Sequence, residues 1–128
     1  MHLDRIQLTE FRSYRSLQLD IPESGFVLIG RNAAGKSSLL EAVRMLSILR
    51  SPRALHDREV INCASGQDIG VPPYARIVGQ TGARASSTSI ELGLQVAEET
   101  GGPLRKQIKI NQQSRRVVDS VGTLRTVL

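Results

Sequence analysis

Phe26-Val27-Leu28-Ile29-Gly30-Arg31-Asn32-Ala33-Ala34-Gly35-Lys36-Ser37-Ser38 passes from four apolar residues through a glycine-bounded loop into a helical pattern. An unbroken apolar run of this length suits a strand buried on both faces. The loop fits G-x-x-x-x-G-K-[ST], and each fixed position has a chemical reason. Gly30 and Gly35 allow backbone angles that turn successive N–H groups toward phosphate oxygens. A helix opening near Lys36 adds the positive end of its dipole beneath the same phosphates. Lys36 reaches the β- and γ-phosphates, and the Ser37 hydroxyl ligates the Mg²⁺ that bridges them. The expected nucleotide site is therefore Gly30, Arg31, Asn32, Ala33, Ala34, Gly35, Lys36 and Ser37, with ATP and Mg²⁺ as ligands. A glycine-rich turn with a solvent-exposed lysine is the bland alternative. The order strand, loop, helix argues against it.

Outward from this core, Arg5-Ile6-Gln7-Leu8-Thr9 and Leu17-Gln18-Leu19-Asp20-Ile21 each alternate polar and apolar residues, the period of a half-buried strand. They read as an antiparallel pair joined by Arg12-Ser13-Tyr14-Arg15-Ser16. Downstream, Leu39, Val43, Leu46 and Leu49 or Arg50 mark the buried stripe of a helix, with Glu41 and Arg44 opposite. Ser51-Pro52 is the expected stop. Residues 57–62 suit one more helical turn and residues 64–73 a loop. Residues 75–78 are a short strand candidate, followed by a small-residue stretch over 79–87. Ser89-Ile90-Glu91-Leu92-Gly93-Leu94-Gln95-Val96 alternates strictly, and Lys106-Gln107-Ile108-Lys109-Ile110 does so again after a turn over 98–103. These predict a hairpin with one apolar and one basic face. The fold class implied is α/β, a P-loop NTPase lobe with antiparallel strands around a central P-loop helix.

The chain has 128 residues, which suits a single domain or part of one. Leu124-Arg125-Thr126-Val127-Leu128 reads like the opening of a buried strand, so residues 1–128 are expected to form one partial, C-terminally truncated domain. Only Phe11, Tyr14, Phe26 and Tyr74 are aromatic, so the core must come from Leu, Ile and Val. The net charge is +5, and fourteen of the seventeen basic residues are arginine. That excess suits bidentate phosphate contacts and equally follows from GC-rich codon usage. A single cysteine, Cys63, excludes an internal disulfide and a cysteine-based zinc site. With no apolar leader after Met1 and no apolar run near the ~20 residues that cross a bilayer, a cytoplasmic protein with no membrane partner is expected.

Phe11-Arg12-Ser13-Tyr14, the P-loop with Asn32 in its third position, and the run Arg115-Arg116-Val117-Val118-Asp119-Ser120-Val121-Gly122 together resemble the RecF family of ABC-type DNA-repair ATPase heads, which also includes RecN and SMC relatives. The resemblance implies an ATP-binding lobe of a DNA replication, recombination and SOS-response repair protein. It further implies an ATP-dependent homodimer in the full-length protein, binding to single-stranded or gapped DNA, RecO- and RecR-type partners, and assistance to RecA loading at gaps. In related heads an arginine of the Phe-Arg-Ser element approaches the nucleotide, which makes Arg12 a further candidate; a plain surface arginine is the alternative. Ala33 stands where the family usually has glycine, which bears on affinity. No signature serine motif or Walker B acid is legible, since Asp57, Asp68 and Glu98-Glu99 lack a preceding apolar strand. ATP binding with little hydrolysis is the expectation.

Between Thr100 and Asp119 lie Arg105, Lys106, Lys109, Arg115 and Arg116 and no acid. On a strand Arg105 and Lys109 share one face and Ile108 and Ile110 the other. That arrangement offers DNA phosphates a sequence-independent stripe, or is a solvated strand face. Two other function classes use a P-loop: a small-molecule kinase, whose motif usually follows the first strand rather than the third, and a transporter-type ABC motor.

Overall fold

The computed structural model of the chain describes residues 3–22, 36–48, 57–82, 88–96 and 103–115. Six strands form one sheet: β1 (Leu3–Phe11), β2 (Tyr14–Asp20), β3 (Tyr74–Thr81), β4 (Thr88–Val96), β5 (Leu104–Ile110) and β6 (Gln113–Arg115). Their order is β2-β1-β3-β4-β5-β6, and every pairing is antiparallel. The helix α1 (Lys36–Ile48) and a short 3-10 turn (Asp57–Val60) complete the described elements.

Alternation along each strand becomes a two-faced sheet because the registers agree. Leu17, Leu8, Ile77, Leu92 and Ile108 lie in one row across five strands, and Leu19, Ile6, Gly79, Ile90 and Ile110 in the next. A slip of one residue in any pairing would send its aliphatic set to solvent. Ile6, Leu8, Ile77, Ile90, Leu92 and Ile108 are at most 2% exposed. Each contributes about 1.5–3 kcal/mol by leaving water. Leu39, Ala42, Met45 and Leu46 of α1 close the same cluster from the helix side.

Gly79 sits in the middle of this face. A Cβ there would lie 2.6 Å from Leu46 Cδ1 and 3.1 Å from Leu3 Cδ1. The missing side chain is what lets α1 come down onto β3.

The strand pairs β1–β2 and β4–β5 match the sequence reading, as do the turn at Asp57 and the loop after it. Strand β3 runs on through Thr81, taking in the first of the small residues. The edge strand β6 was not foreseen, because three residues carry no readable period. Its one sequence cue is the preceding Asn111-Gln112, where both residues have positive φ, 53° and 68°, as a tight hairpin turn requires. Leu49, Arg50, Ser51 and Pro52, the strand expected over 26–29 and the terminal run over 116–128 lie outside the described residues.

One expectation is corrected. Glu41 does not face solvent opposite the apolar stripe; it is 2% exposed. The stripe is broader than Leu39, Val43 and Leu46 suggest, because Ala42 and Met45 are wholly buried too. Glu41, one turn before Met45, then falls at the edge of the buried arc.

Candidate functional site

The helix α1 begins at Lys36, directly after the residues that the motif assigns to phosphate. Its first-turn amides have no partners within the helix and carry the positive end of the dipole. No acidic residue occupies that first turn, so no side-chain anion of α1 competes for those amides. Ser37 is exposed and Ser38 half-buried, while the next residue, Leu39, is buried. The helix thus presents its hydroxyls at its N-terminal end and anchors itself within one turn. Residues 30–35 and the side chain of Lys36 lie outside the described parts of the chain.

A second constellation surrounds this helix from the β1–β2 side. Arg12 and Ser13 form the two-residue connection between strands, since Phe11 pairs with Tyr14. The guanidinium of Arg12 donates from Nε to Glu41 Oε1 at 2.9 Å and from Nη2 to Glu41 Oε2 at 3.0 Å. This fork-on-fork geometry is the strong form of the ion pair. Arg12 has a φ of 52°, which costs a residue with a Cβ about 1 kcal/mol or more unless its surroundings over-determine it. Here they do: its N–H donates to the Val60 carbonyl at 2.6 Å, and its own carbonyl accepts from Asn62 Nδ2 at 2.6 Å.

Asn62 also donates its backbone N–H to the Glu10 carbonyl at 2.8 Å, and Phe11 bridges to Ile61. The segment after the 3-10 turn therefore caps β1 beyond Thr9–Arg76, the last pair that β1 makes with β3. Glu10, also at positive φ, is 4% exposed and accepts from Arg15 Nε at 2.5 Å. Arg15 reaches on to Asp68 at 3.2 Å. Its hydrogen bond to Glu10 holds its pKa above the ordinary arginine value. The pair Arg12–Glu41 ties the hairpin tip to the helix, and the chain Glu10–Arg15–Asp68 ties it to the following loop.

Sequence reasoning picked out Arg12 but not its partner. The signal available was Glu41 itself, an acid set among Leu39, Leu40, Ala42 and Val43. Asp68, considered as a metal acid, is 69% exposed and bound to Arg15. Asp57 opens the 3-10 turn. Among the described residues no group of three His, Cys, Asp or Glu side chains could hold a metal ion. No helix among them is long and apolar enough to cross a membrane.

Arg105 and Lys109 share the outer face of β5, as expected, with Gln107 between them. Lys106 belongs to the other face, in register with Leu94, and is half-buried. The side chain of Arg115 and all of Arg116 lie outside the described residues.

The comparisons with known proteins agree with one another. The family model described as an AAA ATPase domain matches residues 1–75. The DNA replication and repair protein RecF of Thermomicrobium roseum is 39% identical over 123 residues, which are 96% of this chain and 31% of that protein. RecF of Herpetosiphon aurantiacus is 40% identical over 134 residues, covering 100% of this chain and 35% of that protein. The chain thus spans about a third of the length of these relatives. Among solved structures, the recombination mediator protein RecF with ATP, of the RecFOR pathway, superimposes with a TM-score of 0.74 at 30% identity, over 94% of this chain and 30% of that one. The antiparallel sheet with α1 against it is the fold of a RecF-type ATPase head. The chain belongs to the AAA ATPase domain family, and its relatives there are RecF proteins along its whole length.

Proposed function

We propose that this chain is the ATP-binding lobe of a RecF-type DNA replication and repair protein. Residues Gly30, Arg31, Asn32, Ala33, Ala34, Gly35, Lys36 and Ser37 wrap the triphosphate, Lys36 neutralises the β- and γ-oxygens, and Ser37 ligates Mg²⁺. The observation that supports this most is the helix opening at Lys36 with Ser37 exposed and Leu39 already buried. It gives the motif the helix N-terminus that phosphate binding needs. A solved relative holding ATP, at 30% identity, adds to that reading.

In this reading the chain's 128 residues are one lobe of a larger ATPase that dimerises on ATP, binds DNA and assists RecA loading at gaps. RecO- and RecR-type proteins are its partners, in keeping with the RecFOR pathway named for the solved relative. Arg105, Lys109, Arg115 and Arg116 supply phosphate contacts without reading bases.

Isothermal calorimetry tests the nucleotide site. Lys36→Ala is expected to abolish detectable ATP binding with an unchanged circular dichroism spectrum. Ser37→Ala is expected to weaken Mg-ATP far more than ATP in EDTA. Wild-type affinity in Lys36→Ala would remove the P-loop assignment, and equal losses for Ser37→Ala in both buffers would remove the metal role.

A further inference from the structure

On the sheet face turned away from α1, an open groove of about 760 Å³ lies between β3 and β5 with β4 as its floor. Gly93 lies at its centre, flanked in one row by Arg76 on β3 and Gln107 on β5. The next row holds Tyr74, Gln95 and Arg105, and the row on the other side Val78, Glu91 and Lys109. We propose that this groove is a track for one unpaired strand of nucleic acid, a role that rests on the DNA-binding reading above and gives it a place.

Three features carry it. The first is spacing. Arg105, Gln107 and Lys109 alternate on one strand and stand ~6.7 Å apart, close to the separation of successive phosphates in a nucleic-acid strand. The second is width. Arg76 and Gln107 are two inter-strand steps apart, ~10 Å. That is narrower than a duplex and wide enough for a single strand, and Gly93 leaves the floor between them bare. The third is chemistry. Cations follow the phosphates, the amides of Gln95 and Gln107 can donate to or accept from base edges, and the half-buried ring of Tyr74 offers a stacking surface at one end. Cations combined with an aromatic platform are the pattern that sequence-tolerant single-strand binding uses.

Glu91 gives the groove an internal governor. Its side chain is 11% exposed and holds the Arg76 guanidinium, with Lys109 Nζ 3.8 Å from its other oxygen. It sets two cations side by side and cancels one unit of their charge. Replacing Glu91 with Gln keeps its shape and frees that unit. The variant should therefore bind the strand more tightly, whereas a residue of merely structural importance would bind it less.

Fluorescence anisotropy with a labelled oligothymidylate and a matched duplex, in the absence of nucleotide, tests the assignment. Arg105→Gln/Lys109→Gln is expected to lose tenfold or more in single-strand affinity and about 1.4 in log–log salt slope, ~0.7 for each phosphate contact. Tyr74→Leu is expected to lose about tenfold with its salt slope unchanged. Glu91→Gln is expected to gain affinity and slope, with its urea midpoint recorded alongside so that a folding defect is recognised. Wild-type binding by the Arg105/Lys109 variant, preference for duplex, or equal displacement by polyglutamate would each overturn the track. Lys36→Ala separates the two readings, since it should lose ATP and retain the oligonucleotide.

Discussion

The two faces of this sheet are built by the same strands and obey opposite rules. Toward α1 the two rows through Leu92 and Ile90 are aliphatic across β2, β1, β3, β4 and β5, and their one gap, Gly79, is filled by Leu46 from the helix. Away from α1 the rows read Gln18, Gln7, Val78, Glu91, Lys109 and Ser16, Thr9, Arg76, Gly93, Gln107. Here the gap at Gly93 stays open. A Cβ on it would find only ordinary contacts, 3.8 Å to the Gln107 carbonyl and 4.0 Å to its side chain. One glycine exists to admit a neighbour and the other leaves a surface unfilled. Packing accounts for the inner face, whereas the outer face carries the polar and charged side chains on which the proposed track rests.

That contrast can be broken by substitution, starting with the largest effect. Leu92→Ala, at 0% exposure in the central row, should cost about 3–4 kcal/mol by lost transfer energy and the cavity left behind, read as a drop in the urea midpoint. Arg12→Ala should cost about 2–3 kcal/mol, because it removes the two-pronged hydrogen bond to the buried Glu41 carboxylate; Arg12 is itself 27% exposed, which holds the figure below that of a fully buried pair. Glu41→Gln in the same background should recover most of that loss, as the double-mutant cycle would reveal. Gly79→Ala should cost about 1–2 kcal/mol through overpacking against Leu46, while Gly93→Ala should stay within ~0.5 kcal/mol. Should the two glycine variants behave alike, the distinction between the faces would be lost. Arg105→Gln should leave stability within ~0.5 kcal/mol.

Strand alternation was legible in the sequence because burial on one face forces a period of two. Ile90, Leu92, Leu94 and Val96 announced β4 without help from any other element. The P-loop motif stands out in the sequence for a different reason, since phosphate geometry restricts which residues can stand at each position; of its residues, only Ser37 and the backbone of Lys36 lie within the described parts of the chain. What could not be read was long-range. Arg12 and Glu41 are twenty-nine residues apart, and neither residue type signals the other. Nothing local told that Arg76 on β3 would share a groove with Arg105 and Lys109 on β5, because that depends on strand order. Leu39, Val43, Leu46 and Leu49 or Arg50 placed Glu41 opposite the stripe, whereas Ala42 and Met45 widen the buried face to include it.

Gly79 also acts as a locating pin. A helix lying on an even aliphatic surface can slide or roll with little penalty, since one leucine replaces another. A single notch in that surface gives α1 one seat, with Leu46 in the hole. Lys36 stands ten residues up the same rod, ~15 Å away at 1.5 Å per residue, and a slip of one turn would carry it 5.4 Å. The dimensional tolerance of the proposed nucleotide site is thus set on the far side of the helix, by an atom that is missing from the sheet.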